Sequence, residues 1–211
     1  MLETFDYSVG RLIKKIEELD WSKKTIIFFF SDNGGLEKSA DQTPLRSGKA
    51  NLYEGGIRVP LMVSWPGQIK PGTVNEQIVS SIDFFPTICD IAGVENTYQI
   101  DGVSLLQELR QTGSLQREAI FWHYPHYHSA GQGPCSAIRI GDFKLIEWFE
   151  KSTFGISTEG ALELYNLKDD LGEQNNLVFE QSDLAIKMFQ KLKAWRVSVD
   201  AQEMQRAESL K

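Results

Sequence analysis

The run Thr25-Ile-Ile-Phe-Phe-Phe-Ser31 constrains the fold of this 211-residue chain more than any other stretch. Six of its seven residues are β-branched or aromatic, with no polar alternation, which is how a strand covered on both faces of a parallel sheet reads. Such a strand needs neighbours on both edges, so a central position is expected. It leads directly into Asp32-Asn33-Gly34-Gly35. Open α/β sheets place ligands at the carboxyl ends of their strands, and paired glycines let the backbone turn sharply and approach a bound group. Asp32 and Asn33 together offer oxygen donors suited to calcium or magnesium. The same residues also suit a plain turn, because all three residue types favour left-handed conformations.

After Asp32 the chain passes through a polar loop with Pro44 and enters a second apolar strand, Val59 to Trp65. Both ends of that loop can lie at one pocket. Lys49, behind Gly48, is a compact charge able to hold a sulfate or phosphate oxygen without fixed geometry. The alternative is an ordinary solvated loop lysine.

Residues 1 to 19 form an amphipathic helix by spacing, with Leu2, Phe5, Val9, Leu12, Ile13, Ile16 and Leu19 on one stripe. Asp83 to Ala92 reads as a short helix, with Pro86 in its first turn and Gly93 as terminator. Residues 94 to 117 read as loop and short helix. Strands follow at Ala119 to His123, Ser136 to Phe149 and Ala161 to Asn166, separated by Gly- and Ser-containing turns. Asp183 to Val199 closes the chain as a helix with a stripe of Leu184, Met188, Leu192, Trp195 and Val199, capped by Ser182 or Asp183. The expected division is an α/β region over residues 1–116 and an α+β subdomain over 117–211, a small antiparallel sheet backed by a helix.

All three histidines lie in Trp122-His123-Tyr124-Pro125-His126-Tyr127-His128, ahead of a Gly-rich loop. Aromatic faces with polar edges suit a sugar-binding cleft, and His123 and His126 are the residues that would line it. Ordinary loop packing is the alternative. The His-x-x-His-x-His spacing also admits a transition metal, but no carboxylate accompanies it.

The formal net charge of −7 comes with no basic run, which argues against a nucleic-acid partner. No apolar stretch is long enough to span a membrane, and the first residues lack the form of a signal peptide. Cys89 and Cys135 define no disulfide framework.

Taken in order, SDNGG, LRSGKANLYEGGIRVPLMVSWPG, IDFFPTICDIAGV, DGVSL, IRIGDFKLIEW and ELYNLKDDLGEQNNL resemble the second half of a type I, formylglycine-dependent sulfatase of the alkaline-phosphatase-like superfamily. The resemblance implies the C-terminal part of that mixed sheet flanked by helices, with a small antiparallel sheet and packed helix after it. It also implies Asp32 and Asn33 as the later calcium ligands and Lys49 as the lysine on the substrate sulfate. Glu54, Gly55, Gly56 and Arg58 match a structural motif, with the glycines packing closely and Arg58 pairing with Glu54. The expected activity is hydrolysis of a sulfuric ester, with a sulfated carbohydrate as substrate.

The family's formylglycine arises from a C/S-x-P-x-R motif that this sequence lacks. The nucleophile and two earlier Asp ligands are expected upstream of Met1, in a missing N-terminal half, so the isolated chain is expected to be a fragment without turnover. The parent is expected to be exported, to the periplasm, the exterior or the lysosome. Cys135-Ser136-Ala137-Ile138-Arg139 mimics the modification motif as C-x-A-x-R but follows the metal pair and reads as a strand. Two alternatives stay open: a phosphodiesterase or phosphonate hydrolase of the same superfamily, and a non-catalytic glycan-binding remnant.

Overall fold

A computed structural model describes residues 2–149 and 161–204. The chain divides into two compact units, one formed by residues 1–30 and 61–117 and the other by residues 31–60 and 118–211. The segment between the two apolar strands thus belongs with the C-terminal elements.

The first unit contains helix α1 (Leu2–Glu18), strand β1 (Ile27–Phe30), strand β2 (Leu61–Ser64), helix α3 (Phe84–Ala92) and helix α4 (Leu106–Leu109). The second contains a helical turn, α2 (Glu54–Ile57), strands β3 (Ile120–Tyr124), β4 (Cys135–Ile140), β5 (Phe143–Trp148) and β6 (Ala161–Asn166), and helix α5 (Ser182–Ser198).

The expectation of a parallel, doubly covered strand at Thr25 to Ser31 is corrected. β1 is four residues long and pairs antiparallel with β2, from Ile27 opposite Ser64 to Phe30 opposite Leu61. β2 is its one strand neighbour among the described residues, and Phe29 stays 38% exposed. The period-2 geometry of a strand explains the packing. Phe28 and Phe30 share one face and meet Phe84 at ring distances of 5.2 and 5.1 Å, while Phe29 on the other face meets Phe5 of α1 at 6.2 Å. α1 forms where the apolar stripe places it, but none of its residues is buried.

Asp83 organises the rest of this unit. Fully buried, it accepts the N–H groups of Ser80 at 2.8 Å and Val103 at 3.0 Å and pairs with Arg117. α3 then ends at Gly93, whose φ of 66° is the left-handed cap that glycine adopts without steric cost.

In the second unit β3, β4, β5 and β6 form an antiparallel meander in chain order. The run expected as one strand, Ser136 to Phe149, is two strands joined at Gly141-Asp142, with Gly141 at φ 55°. The turn expected between Phe149 and Ala161 lies outside the described residues, apart from its flanks. α5 begins one residue earlier than expected and has Gln181 at its N-cap with no side-chain cap, in place of Ser182 or Asp183.

Both faces of this sheet are buried, by different partners. Ile138, Leu145, Leu162 and Leu164 pack under Ala185, Met188, Phe189 and Leu192 of α5, and Phe121 stacks on Trp195 at 4.8 Å. On the other face Cys135, Ala137, Ile146, Trp148 and Tyr165 pack against Leu52 and Tyr53. The sheet is therefore the platform on which the Lys49 segment is mounted.

Candidate active site

The Asp32-Asn33 turn and the Lys49 loop are joined backbone to backbone. Gly34 N–H donates to Gly56 O at 2.9 Å, Lys49 N–H to Gly35 O at 2.9 Å, and Gly55 N–H to Arg46 O at 2.9 Å. Glycine is needed for this approach. A Cβ on Gly34 would run into Gly55 O, one on Gly48 into Gly35 O, and one on Gly56 into Asn51 O. The expected role of Gly55 and Gly56 in close packing is what the geometry provides, and Gly34 and Gly48 extend it. Asp32, Asn33 and Lys49 are thereby held in one loop cluster.

Asp32 is exposed, and its Oδ1 accepts the Asn33 N–H at 2.9 Å. Its second oxygen and the Asn33 carboxamide are the hard donors of the cluster. They fit calcium chemically as two of its about six to eight oxygen ligands. Among the described residues no group of three or more His, Cys, Asp or Glu side chains could hold a metal ion. Lys49 is exposed. The loop itself frames an open depression of about 610 Å³, lined by Glu37, Lys38, Ser39, Asp41, Gln42 and Thr43 among others, and Asp32, Asn33 and Lys49 are not among its lining residues.

A buried ionic network fixes the cluster to the sheet. Glu54, 2% exposed, pairs with Lys144 at 3.0 Å and with Arg58 and Arg139 at 3.6 Å each. Lys144, with no exposed surface, also pairs with Glu173 at 2.7 Å, and Glu173 Oε2 accepts the Glu54 N–H at 2.7 Å. Burial pushes the Glu173 carboxyl above its ordinary range against the opposing pull of Lys144, and burial pulls Arg139 down against Glu54. Arg46 adds a second tie. Its guanidinium lies 3.9 Å over the Tyr53 ring and donates to Tyr165 Oη at 3.0 Å and Glu173 O at 2.7 Å. Burial also raises the Tyr53 and Tyr165 phenols, which both donate to Glu163, at 2.7 and 3.1 Å.

The expected pair of Arg58 with Glu54 is present, and Lys144, Arg139 and Glu173 join it as partners that no local sequence pattern reveals. Lys144 and Arg139 lie on the same sheet face as Ile146 and Ala137, two residues apart along their strands, a placement that only the register makes visible. The C-x-A-x-R mimic lies within β4, with Cys135 1% exposed and Arg139 facing Glu54.

The two histidines expected in a cleft are separated by the sheet's alternation. His123 stands opposite Ser136, on the α5 face with Phe121. Its Nε2 lies 2.6 Å from Gln202 O, which can only accept, so Nε2 carries the proton. Nδ1 lies 2.6 Å from Ser136 Oγ, which can donate or accept. Both ring nitrogens are engaged on the face opposite Leu52 and Tyr53. His126 follows β3, exposed, edge-on to Tyr124 at 5.5 Å, and Tyr124 with Trp122 packs on the Leu52 face.

Sequence reasoning missed Asn51. It is 4% exposed, and its carboxamide joins the Lys49 loop to residues 130–132.

The family model described as N-sulphoglucosamine sulphohydrolase, C-terminal, matches residues 47–198. A sulfatase of Formosa agariphila is 36% identical over 95% of this chain and 39% of its own length. Among solved structures, Ps i-CgsB in complex with k-i-k-neocarrahexaose superposes with a TM-score of 0.79 at 25% identity, covering all of this chain and 45% of that one. A structure described as a complex with its substrate D-glucosamine-2-N,6-O-disulfate gives a TM-score of 0.72 at 28% identity, over 94% of this chain and 39% of that one. The chain thus spans about two fifths of the length of the curated relatives it matches. With its mixed α/β architecture and antiparallel C-terminal sheet, the chain belongs to the N-sulphoglucosamine sulphohydrolase C-terminal family, within the formylglycine-dependent sulfatases of the alkaline-phosphatase-like superfamily.

Proposed function

We propose that this chain is the part of a sulfuric ester hydrolase that carries one calcium-binding pair and one sulfate-binding lysine, and that the substrate is a sulfated carbohydrate. The backbone ladder that holds Lys49 beside Asp32 and Asn33 supports this reading most directly. Lys49 offers a mobile cation to a sulfate oxygen, while Asp32 and Asn33 supply oxygen donors to calcium. Calcium, when bound, would add fixed positive charge where negative charge builds on the ester. The solved complexes named with a sulfated glucosamine and a neocarrahexaose favour a sugar as the alcohol component.

The nucleophile is assigned to a portion of the protein preceding Asp32, because this sequence holds no C/S-x-P-x-R motif. Residues 117–211 mount the cluster and shape its cleft. Among the histidines, His126 stays with the substrate cleft, and His123 acts as a pin between β3, β4 and the segment after α5. Export of the protein accords with this activity, and among the described residues no helix is long and apolar enough to cross a membrane.

The test is to sequence the DNA upstream of the Met1 codon. An in-frame continuation with C/S-x-P-x-R and an early Asp pair is expected. A stop codon directly upstream would contradict the assignment and favour a glycan-binding remnant.

A further inference from the structure

We propose that Asn51 is a positioning residue that locks the Lys49 loop to residues 128–132, so that the latter form a wall of the anion site and meet the sugar ring that bears the sulfate ester. This rests on Lys49 being the sulfate contact.

The Asn51 carboxamide works in both directions. Its Nδ2 donates within its own loop to Gly48 O at 3.2 Å and Lys49 O at 3.3 Å, and across to Ala130 O at 3.3 Å. Its Oδ1 accepts the Gln132 N–H at 3.0 Å. Donor and acceptor on one short side chain are what such a bridge requires; an ionised Asp supplies only acceptors and Ala supplies neither. Gly131 completes the contact, because a Cβ there would lie 2.6 Å from Ala50 O.

The two halves of the bridge have unequal support. Lys49 keeps a second anchor, its N–H to Gly35 O, which does not involve Asn51. Among the described residues, the hydrogen bonds from residues 130–132 to the Lys49 loop pass through Asn51. His128 follows the wall, since its Nδ1 accepts the Ala130 N–H at 3.1 Å. An exposed imidazole and the exposed Gln132 side chain suit the hydroxyl groups of a sugar. Loss of Asn51 should therefore release the wall and leave Lys49 beside Asp32 and Asn33.

The experiment is an NMR titration of the chain with two probes, inorganic sulfate and D-glucosamine 6-sulfate. Asn51→Ala should weaken the sugar sulfate about tenfold, as loss of the two part-buried hydrogen bonds to residues 130–132 implies, and inorganic sulfate by no more than about twofold. Gly131→Ala, which leaves Asn51 in place, should give the same split. Persistent protection of the Lys49 amide in hydrogen exchange would show that the variants keep the loop. Equal losses for both probes, or no loss for the sugar sulfate, would overturn the proposal. Failure of either probe to shift Lys49 in the unaltered chain would instead remove the sulfate-site reading, and the proposal with it.

Discussion

Lys49 and the glycines around it divide the work of the site between charge and space. Lys49→Ala should lower sulfate affinity between about tenfold and a hundredfold, the scale of a hydrogen bond to a charged group, read by titration with inorganic sulfate. Lys49→Arg should restore only part of it, because a planar fork replaces a compact ammonium. Gly34 contributes no charge, yet Gly34→Ala should be destabilising, because the new Cβ meets the Gly55 carbonyl, and backbone cannot rotate away. A loss of about 2 kcal/mol or more in urea unfolding is expected from such overpacking. Unchanged stability would mean that the two loops do not sit this close. Asp32, Asn33 and Lys49 stand out in the sequence because their residue types are unusual after an apolar strand. Asn51 does not, because nothing in a local pattern reveals a partner 81 residues away.

At the scale of elements, α2, β4 and β5 are held together by charges that the sequence gives no reason to bury. Lysine and glutamate are exposed by default, so Lys144 and Glu173 read as surface residues until strand register and the fold of the 170s segment bring them to Glu54. Lys144→Met should cost about 3–5 kcal/mol, because it strands two buried carboxylates. Arg58→Ala, on the half-exposed pair, should cost less than about 1 kcal/mol. Equal costs would refute the network as the anchor of the Lys49 loop. The pH dependence follows from the raised Glu173 pKa. The folded chain holds that proton more tightly than the unfolded one, so the contribution is full below the ordinary value of 4.5 and is lost as pH rises through the raised value. The stability of the unaltered chain relative to Glu173→Gln should therefore fall with rising pH above 4.5, and a rise would contradict the assignment. Element boundaries were legible where composition marks them, as at β6 and Gly93. The β4–β5 hairpin was missed because apolar residues flank Gly141-Asp142 on both sides, although a Gly-Asp pair is itself a two-residue turn signal.

At the scale of the molecule, the sequence motifs conveyed the superfamily, while the antiparallel pairing of β1 with β2 was not legible in an apolar run without alternation. The second unit has a sheet buried on both faces, with the site loops mounted on one of them. Placing the sulfate contact in this unit and the nucleophile before Asp32 predicts that the 211-residue chain alone will release no sulfate from an aryl sulfate. Turnover by a pure sample would contradict that division. The most direct test is to measure sulfate release from D-glucosamine 6-sulfate by the polypeptide of the complete reading frame, with Lys49 intact and with Lys49→Ala. Turnover that depends on calcium and falls about tenfold or more with the substitution is expected. Equal rates with and without Lys49 would contradict it.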